Sequence, residues 1–333
     1  MRNNGFGVLV SSWLLVLFAG CTHSGHVRQT APPTASASDS FTVADTALSH
    51  PLVFVVYGDM RFSDPQETEA SKPAPRRALV VKIASEHPDA LFLTGDVPWH
   101  GGTREDYGEY RDETAVWREH HLRVYPVLGN HEFQQCEEPT CLENWWTAFP
   151  ELRGRRWYSV ALGSRVRVLA LDSNTSLLPG SPQALWLDRE INTLPGGVGF
   201  VFVLLHHPPM TDSSSGVRAN EQALSEYLRV RAQQSSARFV VCAAHVHNYE
   251  RFERDGVIYL VSGGGGAKPS PVTRSAADLY KDNDVPNFHY LRFELEGQRL
   301  RGEMLRLTDY DTPAPGTWAV RDRFELSPQS PAQ

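Results

Sequence analysis

The chain has 333 residues and a formal net charge of −7 at neutral pH. Nucleic-acid-binding proteins favour a basic surface, so this charge argues against nucleic acid as the main partner. No internal repeat is evident, and the roughly 285 residues that follow the N-terminal region suit one large α/β domain.

The N-terminal residues are typical of an export signal. Arg2 is the only early charge, and the apolar run at 8–19 is short for a membrane span. The stretch Phe18-Ala19-Gly20-Cys21 resembles a bacterial lipobox, which implies that Cys21 is lipidated. We therefore predict a lipoprotein signal peptide at 1–20 and a location in the bacterial cell envelope, either periplasmic or on the outer membrane. An ordinary signal peptide or an uncleaved anchor is the alternative.

The regions flanking the predicted domain have little apolar character. Residues 21–48 are rich in Ser, Thr, Ala and Pro and are predicted to be a flexible linker. The domain itself is predicted at 49–310, followed by a C-terminal tail at 311–333. In an oxidising compartment a disulfide between Cys136 and Cys141 is expected, whereas Cys242 lies in a strand and is predicted to be a small buried residue.

Five short apolar runs predict buried strands, and each ends at residues suited to metal binding or proton transfer. The runs are 52–57, 90–94, 124–128, 200–205 and 238–243. The residues that follow them are Asp59, Asp96, Asn130-His131-Glu132, His206-His207 and His245-Val246-His247. Ligands bind outside the carboxyl ends of strands in α/β sheets, so we expect these side chains to share one site.

Amphipathic helical patterns occur between these strands, at 76–86, 182–194 and 219–234. A hairpin is predicted around Gly163-Ser164, and further antiparallel strands at 257–261, 289–295 and 300–307. Alternating strands and helices with antiparallel additions predict an α/β fold with two packed mixed β-sheets flanked by helices.

The chemistry of these residues favours two metal ions. A carboxylate such as Asp96 can bridge two cations, Asn130 offers a carbonyl oxygen, and the histidines offer nitrogen. Such mixed sites suit Zn, Mn or Fe rather than Ca or Mg. Two ions about 3.5–4 Å apart can clamp a phosphoryl group and activate water.

In their order and spacing these motifs resemble the calcineurin-like metallophosphoesterases, from residue 52 to about 307. The run His-Val-His-Asn-Tyr-Glu-Arg at 245–251 is similar to the purple acid phosphatase version of the last motif. The resemblance implies that one metal is held by Asp59, Asp96 and His247. It implies that the other is held by Asp96, Asn130, His206 and His245.

The chemistry of the remaining residues suggests further roles. His131, next to a ligand, is placed to bind the phosphate and protonate the leaving oxygen, and Glu132 to orient an imidazole. The resemblance implies that His207 lines the pocket. Where the family has Asp-x-His, this chain has Asp59-Met60-Arg61, and Trp99 stands where purple acid phosphatases have a ligating Tyr. We expect Arg61 to grip phosphate, with a structural ion pair as the alternative. His100 is either a recruited ligand or a polar residue of the rim.

The sequence therefore predicts an exported, metal-dependent phosphoesterase that hydrolyses phosphomonoesters by attack of metal-activated water. Its partners would be a phosphorylated small molecule or other phosphoester and, through Cys21, the membrane. The alternatives are a phosphodiesterase using the same site, or a non-catalytic surface lipoprotein with a depleted metal site.

Overall fold

The computed structural model describes residues 39–283 and 285–329. The predicted signal peptide, Cys21 and most of the predicted linker lie outside these residues. The strands are β1 (Ser40–Val43), β2 (Leu52–Tyr57), β3 (Ala90–Leu93), β4 (Val124–Pro126), β5 (Tyr158–Leu162), β6 (Val166–Ala170), β7 (Phe200–Leu204), β8 (Arg238–Ala243), β9 (Tyr249–Arg254), β10 (Val257–Ser262), β11 (His289–Glu296), β12 (Arg299–Leu307) and β13 (Trp318–Leu326).

The helices alternate with these strands over much of the domain. The α-helices are α1 (Pro73–Ser85), α2 (Arg104–Glu113), α3 (Ala115–Glu119), α4 (Glu138–Ala148), α5 (Pro182–Asn192) and α6 (Ala219–Gln234). Short 3₁₀ turns occupy Asp45–Ala47, His131–Phe133 and Pro150–Leu152. The three helices predicted from periodicity correspond to α1, α5 and α6. Nothing in the described residues is both long and apolar enough for a membrane-spanning helix.

The strands form two mixed sheets flanked by helices, as the sequence predicts. The seven-stranded sheet has the order β1-β5-β6-β7-β8-β10-β9, and the six-stranded sheet has the order β13-β12-β11-β2-β3-β4. The strands that carry the site pair in parallel, β2 with β3 and β3 with β4 in one sheet and β7 with β8 in the other. The carboxyl ends of these strands therefore lie together at one edge of each sheet.

Aromatic residues join the facing sides of the two sheets. Phe54 of β2 meets Phe202 of β7 edge-on with ring centroids 5.0 Å apart, and Phe202 meets Phe293 of β11 at 4.9 Å. Successive residues of a strand point to opposite faces, so Val201 and Val203 of β7 pack on the other side with α5 and α6. Burial on both faces explains why these strands are continuous apolar runs.

Two edge strands lie outside the predicted domain limits. β1 falls within the predicted linker and pairs with β5, and β13 falls within the predicted tail and pairs with β12. The domain therefore extends beyond the predicted 49–310. β1 is only four residues long, and β13 carries charged, largely exposed residues, so neither has the apolar run that identifies a buried strand.

The cysteines follow the sequence prediction. Cys136 and Cys141 form a disulfide immediately before and within the first turn of α4. Cys242 is a free, fully buried thiol in β8. The disulfide ties the loop after the third predicted motif to the helix that follows it.

Candidate metal centre

The ends of β2 and β3 are held together by backbone hydrogen bonds. Asp59 N–H donates to the Gly95 carbonyl at 3.1 Å, and Arg61 N–H donates to the Asp96 carbonyl at 2.9 Å. Gly95 has φ +90°, and a Cβ there would lie 2.7 Å from the Gly129 nitrogen, so glycine is required at that close approach. The two acidic side chains therefore emerge side by side.

Four residues at these strand ends adopt left-handed backbone conformations without being glycine. The φ angles are 62° at Asp59, 50° at Arg61, 53° at Asp96 and 69° at His245. Such residues are uncommon and cluster at functional sites, where the surrounding structure enforces them. Here these left-handed conformations turn the chain sharply, so that side chains from the two sheets point toward one site.

The first group of ligand atoms comes from four side chains. His206 Nδ1 lies 2.9 Å from the Thr94 carbonyl, so Nδ1 carries the proton and Nε2 keeps a lone pair. That Nε2 lies 3.0 Å from Asn130 Oδ1 and 3.2 Å from Asp96 Oδ1. His245 Nδ1 lies 3.0 Å from the same Asn130 oxygen and 3.3 Å from His206 Nε2.

This arrangement faces hydrogen-bond acceptors toward one another. The unprotonated His206 nitrogen, the amide oxygen and the carboxylate oxygen have no hydrogen to share, so the group fits a cation. Edges of about 3.3 Å are those of a tetrahedron of N and O ligands around a metal at about 2.0–2.1 Å. The donor set suits Zn, Mn or Fe.

The second group contains Asp59, Asp96 and His247, whose ligand atoms all lie within 4.8 Å of one another. Asp59 Oδ1 lies 3.4 Å from His247 Nε2, and among the described residues neither buried atom has a hydrogen-bond partner. His247 Nδ1 faces the Lys268 carbonyl at 2.6 Å, which leaves Nε2 as the coordinating nitrogen. Although burial alone would raise it, the pKa of Asp59 is lowered by His247, His206 and Arg61. These orphaned buried atoms also fit a metal ion.

Asp96 links the two groups. Its side chain is fully buried and belongs to the second group, while its Oδ1 lies 3.2 Å from His206 Nε2 in the first group and its Oδ2 pairs with Arg61 Nη2 at 3.1 Å. Oδ1 also accepts the His131 backbone N–H at 3.0 Å. One carboxylate therefore reaches both positions, as a bridging ligand must.

His131 lies at the open side of this carboxylate. Its Nδ1 is 2.6 Å from the Trp99 carbonyl, and its ring stacks on the Trp99 ring at 4.7 Å and 22°. The other nitrogen, Nε2, is 3.8 Å from Asp96 Oδ2 and 3.2 Å from Gln134 Nε2. Burial lowers the pKa of His131. The ring is thus fixed with Nε2 directed into the site.

Arg61 also packs on the Trp99 ring. Its Cζ is 5.2 Å from the Trp99 ring centroid, and its Nε and Nη2 both donate to Asp96 Oδ2. Arg61 therefore forms an ion pair with a carboxylate, and the partner is Asp96, which the sequence predicts to hold metal.

Among the described residues, the hydrogen bonds of the Glu132 side chain go to backbone N–H groups and not to an imidazole, which differs from the prediction. Its Oε2 accepts the backbone N–H groups of Asp96 at 3.0 Å and Gly129 at 2.8 Å, and its Oε1 accepts that of Val97 at 2.9 Å. Burial, followed by the charge of Asp96, raises the pKa of Glu132, and the N–H groups counter this in part. The carboxyl group thus fastens the loops that carry Asp96 and Asn130.

The two remaining predicted residues lie beside the centre. His207 packs on His245 with centroids 4.5 Å apart and shares a potential ligand group with His206 and His245. His100 donates its backbone N–H to Asp106 at 2.8 Å and packs beside Trp99. Neither ligand group includes His100. Within the described part of the chain, the group of Asp59, Asp96 and His247 therefore gains no further His, Cys, Asp or Glu in place of the missing histidine and tyrosine.

The residues after β6 also contribute to the site, as a sixth strand end that was not predicted from the sequence. Ser173 Oγ lies 2.8 Å from His207 Nδ1, and Asn174 donates from Nδ2 to the Gly129 carbonyl at 3.1 Å. The signal was present, because polar residues follow the apolar run 166–171 just as they follow the other strands. These residues position His207 and the Asn130 loop.

A third acidic group, formed by Asp212, Glu250 and Asp278, differs from the other two. Glu250 accepts Thr211 Oγ1 at 2.7 Å and the Asp212 backbone N–H at 2.6 Å. Burial raises the pKa of Glu250 from 4.5 to about 7. Its oxygens are used to hold the 211–212 turn rather than left unpartnered.

Comparisons with known proteins agree with this geometry. Residues 14–249 match the family described as calcineurin-like phosphoesterase. A probable purple acid phosphatase 20 from Arabidopsis thaliana is 23% identical over 252 residues, which are 69% of this chain and 55% of that protein. The chain thus spans little more than half the length of that plant relative.

Solved structures share the fold. Purple acid phosphatase PPD1 from yellow lupin (Lupinus luteus) has a TM-score of 0.68 at 18% identity, covering 85% of this chain and 55% of that one. A dimetal phosphatase from Danio rerio has a TM-score of 0.56 at 14% identity, covering 84% of this chain and 100% of that one. The family match over residues 14–249, with the fold and the paired ligand groups, shows that the chain belongs to the calcineurin-like phosphoesterases, close to their purple acid phosphatase branch.

Proposed function

We propose that this protein is an exported phosphatase that hydrolyses phosphomonoesters at a two-metal centre. The proposal rests on two adjoining groups of side chains that share Asp96. In each group, atoms with free lone pairs point toward one another. His206, His245, Asn130 and Asp96 would hold one ion, and Asp59, His247 and Asp96 the other. Such ions, when bound, supply Lewis-acid activation of the phosphoryl group and of water.

The residues around the centre supply the remaining chemistry. Arg61 Nη2 and His131 Nε2 lie 3.1 Å and 3.8 Å from the same Asp96 oxygen, so both face the point where a phosphoryl group would sit. The guanidinium offers a fork of donors to phosphate oxygens as negative charge develops there. This is a preorganised arrangement, because both side chains pack on the Trp99 ring.

His131 is proposed to transfer the proton to the leaving oxygen. Its Nδ1–H is engaged by the Trp99 carbonyl, so Nε2 is the nitrogen that can carry the transferable proton. The stacked Trp99 ring prevents the imidazole from swinging away. The proton passes from Nε2 to the oxygen of the breaking P–O bond, and the product leaves as a neutral alcohol.

Export and membrane attachment are proposed from the N-terminal sequence. The short apolar segment and the lipobox-like stretch ending at Cys21 support a lipid anchor at the bacterial cell envelope. The Ser-, Thr- and Pro-rich residues that follow would separate the anchor from the folded domain.

The experiment compares hydrolysis of nitrophenyl phosphate and bis-nitrophenyl phosphate by the purified protein. The protein is first stripped with a chelator and then reloaded separately with Zn²⁺, Mn²⁺ and Fe²⁺. We expect no turnover when stripped, recovery on reloading, and a preference for the monoester. A preference for the diester would replace the proposal with a phosphodiesterase, and metal-independent or absent hydrolysis of both esters would reject it. Glu143→Gln, an exposed change on α4, serves as the control.

A further inference from the structure

Arg61 pairs with the carboxylate of Asp96, a residue that the second metal position shares with the first. Its Nη2 and Nε lie 3.1 Å and 3.3 Å from Asp96 Oδ2. The Asp96 side chain is fully buried and that of Arg61 is 13% exposed, so water screens the pair little. The Arg61 backbone is also clamped to Asp96 through its N–H. The ion pair is therefore a built part of the site.

The second position is already the poorer of the two. It offers Asp59 Oδ1, His247 Nε2 and one oxygen of Asp96, whereas the first position offers two nitrogens and two oxygens. Its charge is also partly neutralised, because the guanidinium pairs with one of its two carboxylates, that of Asp96. A dication entering here must displace a fixed positive charge or sit beside it.

The Trp99 ring offers the Arg61 guanidinium a second contact surface besides Asp96. The Arg61 Cζ lies 5.2 Å from the ring centroid, within cation–π range. The ring itself is held flat against His131. The guanidinium can slide over this surface, away from Asp96, without losing its aromatic contact.

We propose that Arg61 and a metal ion compete for the Asp96 carboxylate, so that the position at Asp59 and His247 fills weakly until phosphate draws the guanidinium across Trp99. This inference rests on the proposed metal centre. It implies that the two ions bind with unequal affinity, and that phosphate and the second ion each strengthen the binding of the other. Arg61 thereby couples completion of the centre to the presence of substrate.

The test is Mn²⁺ titration of the metal-free, full-length protein by calorimetry, with bound metal counted by mass spectrometry. Wild type should show two events, the second weaker. In Arg61→Gln the weaker event should tighten by about 5–150-fold, the usual range of a coupling between sites, while the stronger event stays unchanged. Inorganic phosphate should tighten the weaker event more in wild type than in Arg61→Gln.

The control is Arg231→Gln, which removes the same charge from an ion pair between α6 and Asp188 and should change neither event. Equal affinities in wild type, or an unchanged weaker event in Arg61→Gln, overturn the competition. Absence of any Mn²⁺ binding in wild type instead rejects the metal centre itself. If Arg61→Gln does not fold, Arg61→Lys replaces it. Lysine cannot keep the forked contact, so the weaker event should tighten several-fold, and no change there overturns the proposal equally.

Discussion

Replacing Glu132 by Gln tests how the centre is held in place. Each carboxylate oxygen now accepts backbone N–H groups, two at Oε2 and one at Oε1. An amide has only one acceptor oxygen, so its NH₂ group must face an N–H in either orientation. The better orientation keeps the bonds to Asp96 and Gly129 and leaves the buried Val97 N–H unpaired.

The cost follows from this arrangement. One hydrogen bond is lost, two are weakened and one buried donor is unsatisfied, and because the pKa of Glu132 is raised to about 8 the loss of charge adds little near neutral pH, so the free energy of unfolding should fall by about 1–3 kcal/mol. The Asp96 and Asn130 loops should also loosen. Metal affinity is therefore expected to fall about 10–100-fold, the usual effect of losing a residue that supports a ligand.

The assay is urea unfolding of the metal-free protein, followed by metal titration of the folded variant. A lower urea concentration at the unfolding midpoint, with an unchanged m-value, would show that stability is lost while the folded and unfolded states keep their compactness. Exposed Glu143→Gln should stay within about 0.5 kcal/mol of wild type. Wild-type stability of Glu132→Gln would mean that the second acceptor oxygen of Glu132 contributes nothing, and it would refute the reasoning.

The remaining predictions concern four other sites. Asp96→Asn should lower metal content and turnover together, because both positions share this carboxylate; wild-type values for both would contradict the shared bridge. His131→Ala should keep its metal but lose rate by about 10²–10⁴-fold, with a smaller loss for nitrophenyl leaving groups; an equal loss for good and poor leaving groups would indicate phosphate binding instead. The raised pKa of Glu250 means that its stabilising contribution is present at low pH and is lost as the pH rises from 4.5 to about 7. Glu250→Gln should therefore match wild type at pH 5 and exceed it at pH 8 by about 1–3 kcal/mol in urea unfolding, and an equal difference at both pH values would contradict this. Cys21→Ser should release the protein from the membrane fraction with activity intact, whereas retention after carbonate washing would favour an uncleaved helix.

The ligand groups could be predicted because their signal is local. Each apolar strand runs directly into a polar residue, and the parallel pairing of buried strands brings these ends together. Asp59 and Asp96 come to lie side by side because each follows its strand after a short turn that contains glycine. Chemistry encoded within a few residues is therefore readable from the sequence.

Contacts between separate loops could not be predicted. Nothing near Arg61 in the sequence indicates that its guanidinium pairs with Asp96, 35 positions away. Glu132 is adjacent to His131, yet its side chain turns back to the backbone because three N–H groups there need an acceptor. The edge strands β1 and β13 could not be predicted for another reason. They are partly exposed, so their sequences lack the apolar run that identifies a buried strand.

The central claim is that these strand ends hold two metal ions. Anomalous diffraction from crystals of the protein reconstituted with Zn²⁺ tests it most directly. The account predicts one peak bonded to His206 Nε2 and His245 Nδ1, and a second, of lower occupancy without phosphate, bonded to Asp59 Oδ1 and His247 Nε2. No peak at either group, or a peak only at Asp212, Glu250 and Asp278, would contradict it.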